Sequence, residues 1–428
     1  MSGPIFVCHG CGATVDSARE LPFACPKAGA DDHNDDIDHV LVPANSSAAI
    51  DKAQTDPFLR YRALLSPYQL CRSAGLTDDA WSEIVGALED RLTAVDERAF
   101  RVTPMEPQPA LANTLGMNGS LWVKDETGNV AGSHKGRHLM GVMLYLCILE
   151  AGKLPAASGL RARPLAIASC GNAALAAAVI ARAAEWPLDV YIPRDADPTV
   201  VKRLTALGAA ITVCERRSGE TADPCVRNFR HAVRGGAIPF SVQGPDNGLA
   251  IEGARTLGFE MAERFAASAE TPESLYVQVG GGALASAVSQ GLAIAGRFLP
   301  LPRLPRLMLV QTEGCAPFVR AWQRLAGVVL SDAVRHRSRF MAPWPTTPAS
   351  AASGILDDET YDWWEAANGV RETGGDALVV GEAAIARAYE LAKTATTVRA
   401  SITGTAGLAG LLAAPSPSAA IVFSGGDL

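Results

Sequence analysis

The chain has 428 residues, of which 48% are hydrophobic, 19% charged and 6% aromatic, with 40 glycines and 27 prolines. That length is roughly two to three times a usual domain, which excludes a peptide hormone or a lone binding module and leaves room for two hydrophobic cores. A net charge of −7, from 38 basic and 45 acidic residues without a basic run, argues against nucleic acid or an anionic membrane as the main partner.

Residues 1–45 read as a ribbon-like, loop-rich N-terminal segment holding Cys8, Cys11 and Cys25. Cys8-His9-Gly10-Cys11 is half of a zinc ribbon, because two thiolates at this spacing grip one tetrahedral ion from a tight turn. Ala28 stands where a second CxxC would place its fourth ligand after Cys25, and His33 or Asp31 could substitute; a vestigial ribbon with free thiols is the other reading. The start of the chain lacks the basic, apolar and small-residue pattern of a secretory signal. Nine cysteines, an odd number spread over a long chain, fit free thiols in a reducing cytoplasm.

Between about 50 and 110, Leu59, Leu64, Leu65, Trp81, Ile84, Val85 and Leu88 recur at helical spacing. The longest apolar run, Leu139 to Leu149, is shorter than the about 20 residues a membrane helix needs. Strands then alternate with helices. The pattern predicts strands at 164–169, 188–192, 210–214, 275–279, 307–311 and 420–424. It predicts helices at 171–186, 197–207, 249–265, 283–295, 382–393 and 404–413. Such alternation means parallel sheets covered on both faces, with an irregular interruption at about 330–375.

Four constellations could carry chemistry. Gly280-Gly281-Gly282-Ala283-Leu284 follows a strand and opens a helix, so its amides and the helix dipole suit a phosphate. As G-x-G-x-x-A it reads as a dinucleotide fingerprint with Glu313 as ribose ligand; it also reads as a cup for a mononucleotide-sized cofactor, or as glycines for close packing. In Gly132-Ser133-His134-Lys135, a lysine at the start of an apolar helix would have a lowered pKa and serve as a Schiff-base nucleophile, unless it is simply solvated. Ser169-Cys170-Gly171-Asn172 lies at a strand end and helix start, where ligands sit in open sheets, or where an N-cap would sit. Ser424, closing the last strand before Gly425-Gly426, would likewise point into a crevice.

In order and spacing these segments resemble fold-type II pyridoxal 5′-phosphate (PLP) enzymes, the tryptophan synthase β family, and within it threonine synthases. The resemblance is carried by Lys124-Asp125-Glu126, Gly132 to Lys135, Ser169 to Asn172, Glu252-Gly253-Ala254-Arg255-Thr256, Gly280 to Leu284 and Ser424-Gly425, and it spans about 55 to 428. It implies an α/β protein of two doubly wound open-sheet domains with PLP in the cleft between them, plus the small cysteine-containing appendage. The implied division is a large domain of 46–130 and 241–428 and a small one of 131–240.

The same resemblance implies that Lys135 carries PLP and moves the substrate α-proton. Asn172 would bond the cofactor's O3′, Gly280, Gly281, Gly282, Ala283 and Leu284 would cradle its phosphate, and Ser424 would face its ring nitrogen. Ser133, Ser169, Cys170 and Gly171 would hold the substrate carboxylate. A hydroxyl at the ring nitrogen tempers the electron sink, favouring elimination or replacement at Cβ or Cγ.

His134, Gly136 and His138 depart from the family's usual Phe, Asp and Gly, and an acid is missing near Ser401. The implied activity is a threonine-synthase-like lyase acting on an amino acid in a cytoplasmic homodimer. The alternatives are an ammonia-lyase or dehydratase of serine-, threonine- or diaminopropionate-like substrates, a non-catalytic PLP binder, and, more remotely, an NAD(P)-dependent oxidoreductase. Arg137 and Arg255 are candidates for the second anion site that a threonine synthase needs, or surface salt-bridge partners.

Overall fold

Short apolar strands pair in parallel, as the alternation predicts, and their order sorts them into separate sheets. The computed structural model of the chain describes residues 2–29, 35–44, 49–216, 223–268 and 270–427. The chain divides into two units, Met1–Arg101 with Lys135–Ala254 and Val102–His134 with Arg255–Asp427. His33 and Asp31 lie outside the described residues.

The first unit begins with β1 (Ile5–Cys8), β2 (Thr14–Asp16) and β3 (Leu41–Pro43), an antiparallel sheet of order β2-β1-β3. The second unit's chain opens with β4 (Met105–Pro107) and β5 (Leu121–Asp125). The first unit resumes with β6 (Leu165–Ala168), β7 (Leu188–Pro193), β8 (Ala210–Cys214) and β9 (Ile238–Pro239), all parallel in the order β8-β7-β6-β9. The remaining strands, β10 (Ser274–Gln278), β11 (Arg306–Thr312), β12 (Asp376–Val380) and β13 (Ala419–Phe423), complete a sheet of order β12-β11-β10-β13-β5-β4. Only β4 runs antiparallel to its neighbour there.

Residues 46–101 and 241–254 group with the four-stranded sheet, whereas the sequence reading grouped them with the larger domain. The reason is packing: helix Asp78–Asp96 lies against helix Asn172–Ala183, and Glu252 accepts hydrogen bonds from both the amide (2.8 Å) and the hydroxyl (2.9 Å) of Ser66. Helix Asp78–Asp96 itself starts where the Thr77 hydroxyl accepts from the Ala80 amide, and ends at Glu97 in the left-handed region. The N-terminal sheet is also part of this unit. Tyr145 donates to the Ser17 carbonyl at 2.9 Å and Gly248 donates to the Phe23 carbonyl at 3.0 Å.

Helix Lys135–Ala151 is buried on nearly every side, which explains its unbroken apolar run. No single helix among the described residues is long and apolar enough to cross a membrane. Gly141 and Gly253 mark a close approach of two helices, since a Cβ on Gly253 would lie 2.2 Å from the Arg137 carbonyl oxygen. In the second unit, Leu121, Val123, Tyr276, Val310, Ile421 and Phe423 form the heart of the core around the sheet.

Candidate cofactor site

Ligands in open α/β sheets bind beyond the carboxyl ends of strands where the strand order reverses. In the first unit the order runs outward from β6 to β7 and β8, then returns to β9 on the other side of β6. Ser169 to Asn172 directly follow β6. In the second unit it runs from β10 to β11 and β12, then returns to β13 on the other side of β10. Gly280 to Leu284 follow β10, and Ser424 follows β13. Ser169 to Asn172, Gly280 to Leu284 and Ser424 are therefore each at a reversal point of their own sheet.

The glycine loop has two separate reasons for its composition. A Cβ on Gly280 would stand 2.3 Å from Asp357 Oδ2 and 2.9 Å from the Ile355 Cα, and Gly282 has φ +93°. Thr360 donates to the Gly280 carbonyl at 2.9 Å, and the Asp362 amide donates to the Gly281 carbonyl at 2.8 Å. Close packing thus explains Gly280, and backbone conformation explains Gly282. The amides are a different matter. Helix Ala283–Ala295 begins here without a side-chain cap, and among the described residues the amides of Gly281, Gly282, Ala283 and Leu284 have no acceptor. These residues are buried. Buried donors at a helix N-terminus need an anion or an equivalent acceptor.

Ser424 is held as a hydrogen-bond donor. Gln278 Nε2 lies 2.6 Å from Ser424 Oγ and 3.0 Å from the Gly404 carbonyl oxygen. The carbonyl can only accept, so the amide nitrogen faces both partners and donates to Ser424, leaving the serine's own proton for another acceptor. The Ser424 carbonyl accepts from the His134 amide at 3.0 Å and lies 3.0 Å from His134 Nδ1. Ser133 bridges antiparallel to Gly425, and the Gly426 amide donates to the Gly132 carbonyl at 2.9 Å. Ala131 at φ +57° and Gly132 at φ +74° make the turn that leads into this pairing. The peptide bond after His134 begins the Lys135 helix.

Lys135 is the first residue of its helix and is half-buried, not fully solvated. Asn172 opens helix Asn172–Ala183 after Gly171, and its Oδ1 is buried without a partner among the described residues. The Gly171 amide reaches the Ser169 hydroxyl at 3.4 Å, and Cys170 is exposed. The first unit thus presents an amide-rich helix start with an unsatisfied carboxamide oxygen at its sheet's reversal point.

The Lys124-Asp125-Glu126 motif has a structural explanation. Lys124 is fully buried and donates to Glu260 at 2.5 Å and to the Thr103 carbonyl at 2.7 Å. The Thr103 hydroxyl donates to Glu126 at 2.5 Å, and Asn129 donates to the other Glu126 oxygen at 2.8 Å. This network shapes the turn before Ser133. Neither candidate for a second anion site is a surface cation: Arg137 is fully buried, and Arg255 donates twice to Gln290. Sequence reasoning missed Gln278, Thr360 and Gly404. It also missed His39, which lies with Cys8, Cys11 and Cys25 in one cluster.

A family model described as Pyridoxal-phosphate dependent enzyme matches residues 97–424. The chain belongs to this family of PLP-dependent enzymes. It is similar to a threonine synthase from Synechocystis sp. (strain ATCC 27184 / PCC 6803 / Kazusa), 26% identical over 72% of this chain and 71% of the relative. It is also similar to a serine dehydratase-like protein from Mus musculus, 30% identical over 58% of this chain and 67% of the relative. Among solved structures, diaminopropionate ammonia lyase from Escherichia coli shares the fold with a TM-score of 0.60 at 17% identity, over 81% of this chain and 89% of that one.

The residues present fit PLP. The acceptor-free amides of Gly281 to Leu284 suit its phosphate, and the donor-oriented Ser424 hydroxyl suits an unprotonated ring nitrogen. The dinucleotide reading is replaced by this assignment. Glu313, its supposed ribose ligand, instead lies by Gly381 at the start of helix Glu382–Ala395.

Proposed function

We propose that this PLP-dependent enzyme is a lyase that removes the α-proton of an amino acid and eliminates a group from it, with Lys135 as the cofactor-bearing lysine. The observation that carries this reading is the Gln278-oriented hydroxyl of Ser424. A neutral hydroxyl donor where the ring nitrogen would sit, in place of a carboxylate, would temper the electron sink and so favour elimination. When bound, PLP supplies the electron sink that acidifies the substrate Cα–H bond.

The chain's residues do the rest. The Lys135 Nζ accepts the α-proton and can return it to the leaving group. The amides after Ser169, with Ser133, hold the substrate carboxylate, and Asn172 orients the cofactor's phenolic oxygen. The Gly281 to Leu284 amides hold the phosphate, aided by the helix dipole.

Elimination at Cβ, as in an ammonia-lyase or dehydratase, is the reading we favour. The 30% identity with a serine dehydratase-like protein supports this choice. The second reading is replacement on a phosphorylated amino acid, supported by the similarity to a threonine synthase. In both readings the protein works as a cytoplasmic homodimer.

The test supplies holoenzyme with serine, threonine, diaminopropionate and phosphorylated amino acids, and follows keto-acid, ammonia and inorganic phosphate release. Keto acid with ammonia supports the favoured reading, and phosphate release without keto acid supports the second. No turnover of any amino acid overturns both.

A further inference from the structure

The N-terminal cysteines lie far from the glycine loop in sequence, and the proposed chemistry leaves them unused. Cys8 and Cys25 are buried and Cys11 is half-buried, and their sulfurs converge with one imidazole. Cys8 Sγ is 3.4 Å from His39 Nδ1, Cys11 Sγ is 3.5 Å from Cys25 Sγ, and all four ligand atoms lie within 4.8 Å of one another. Around one tetrahedral zinc ion, sulfur–sulfur and sulfur–nitrogen edges would be about 3.5–3.8 Å, given bonds of about 2.3 Å to sulfur and about 2.0 Å to nitrogen. The cluster is therefore already near the size of a closed Cys3His shell.

Three further features point the same way. The far nitrogen of His39, Nε2, lies 3.2 Å from Asp35 Oδ1. That pairing places the imidazole proton on Nε2 and leaves the Nδ1 lone pair directed at the cysteines, the usual arrangement of a metal-ligating histidine and its carboxylate. Asp35 is itself fixed by the amides of Gly29 at 2.7 Å and Ile37 at 3.3 Å. The Lys27 amide lies 3.4 Å from the Cys25 sulfur. Gly10 keeps the turn tight, since a Cβ there would lie 2.5 Å from the Asp38 carbonyl oxygen.

We propose that Cys8, Cys11, Cys25 and His39 bind one structural zinc ion, with Asp35 orienting His39. Four protein ligands close the coordination shell, which suits a structural ion and leaves no position for substrate. The ion would pin the β1-β2-β3 sheet, whose loops meet the Lys135 helix at Tyr145 and the segment before helix Ala250–Ser268 at Gly248. The site is independent of which amino acid the enzyme consumes.

The experiment uses the full chain purified without chelator, with metal measured by mass spectrometry and thiols counted under denaturing conditions. About one zinc per chain is expected, falling at least tenfold in His39→Ala and in Cys25→Ala, and Asp35→Asn should weaken zinc retention against a chelator by about 10- to 100-fold. Should a variant fail to fold, Co(II) substitution in the unmodified chain decides. A tetrahedral ligand-field spectrum with thiolate charge-transfer bands supports the site. An octahedral spectrum, no bound metal, or a disulfide between Cys11 and Cys25 overturns it.

Discussion

Gly280→Ala isolates what the glycine loop contributes. The added methyl would meet Asp357 Oδ2 at 2.3 Å and the Ile355 Cα at 2.9 Å. The carboxylate can swing away, but the Ile355 contact is backbone, so either the 353–357 segment or the loop must move. Overpacking of this kind costs about 1–3 kcal/mol. Movement of the loop misplaces the amides of Gly281 to Leu284 and weakens PLP binding by about 5- to 150-fold at about 1.4 kcal/mol per decade. If the loop holds, the same energy is lost from stability.

Gly86→Ala provides the opposite sign. Its Cβ meets nothing within 4 Å inside helix Asp78–Asp96, so it should stabilise by about 0.5–1 kcal/mol. PLP titration by visible absorbance, with denaturant unfolding of both variants, reads these effects. Unchanged PLP affinity together with unchanged stability in Gly280→Ala would refute the reasoning.

Gln278→Leu removes the donor to Ser424 and leaves the buried Gly404 carbonyl with only the Ser424 amide at 3.3 Å. Stability should fall by about 1–3 kcal/mol, and the visible spectrum of the PLP-loaded protein should shift as the Ser424 hydroxyl loses its orientation; an unshifted spectrum would sink the donor assignment. Burial pushes the Glu89 carboxyl up to about 8, with the nearby Asp56 adding to the shift. The folded state therefore prefers the neutral acid, so this stabilisation is complete below about 4.5, the ordinary value, and is lost as pH rises through 8. Unfolding free energies between pH 5 and 8.5 should decline with a slope of up to about 1.4 kcal/mol per pH unit from this group. Glu89→Gln should flatten that decline, and parallel profiles would contradict the assignment.

Much of the site was legible because its residues abut predicted strands. Gly280 follows β10, Ser169 follows β6 and Ser424 follows β13, so local periodicity located each. The strand order that puts them at reversal points was not legible, because it is set by pairing between distant segments such as β10 with β13. Gln278 was missed because an amide inside an apolar strand carries no local signal, and its role depends on Gly404, 126 residues away. Edge strand β12 and two-residue β9 lack a buried apolar alternation long enough to read. His39 falls outside ribbon spacing, and only folding brings it beside Cys8.

The most direct test is borohydride reduction of the PLP-loaded protein followed by peptide mass spectrometry. The phosphopyridoxyl label should fall on the peptide containing Lys135, and Lys135→Ala should remove both the label and the visible absorbance. Labelling of a different lysine, or absorbance and label that persist in Lys135→Ala, would contradict the assignment of the cofactor-bearing lysine and the mechanism built on it.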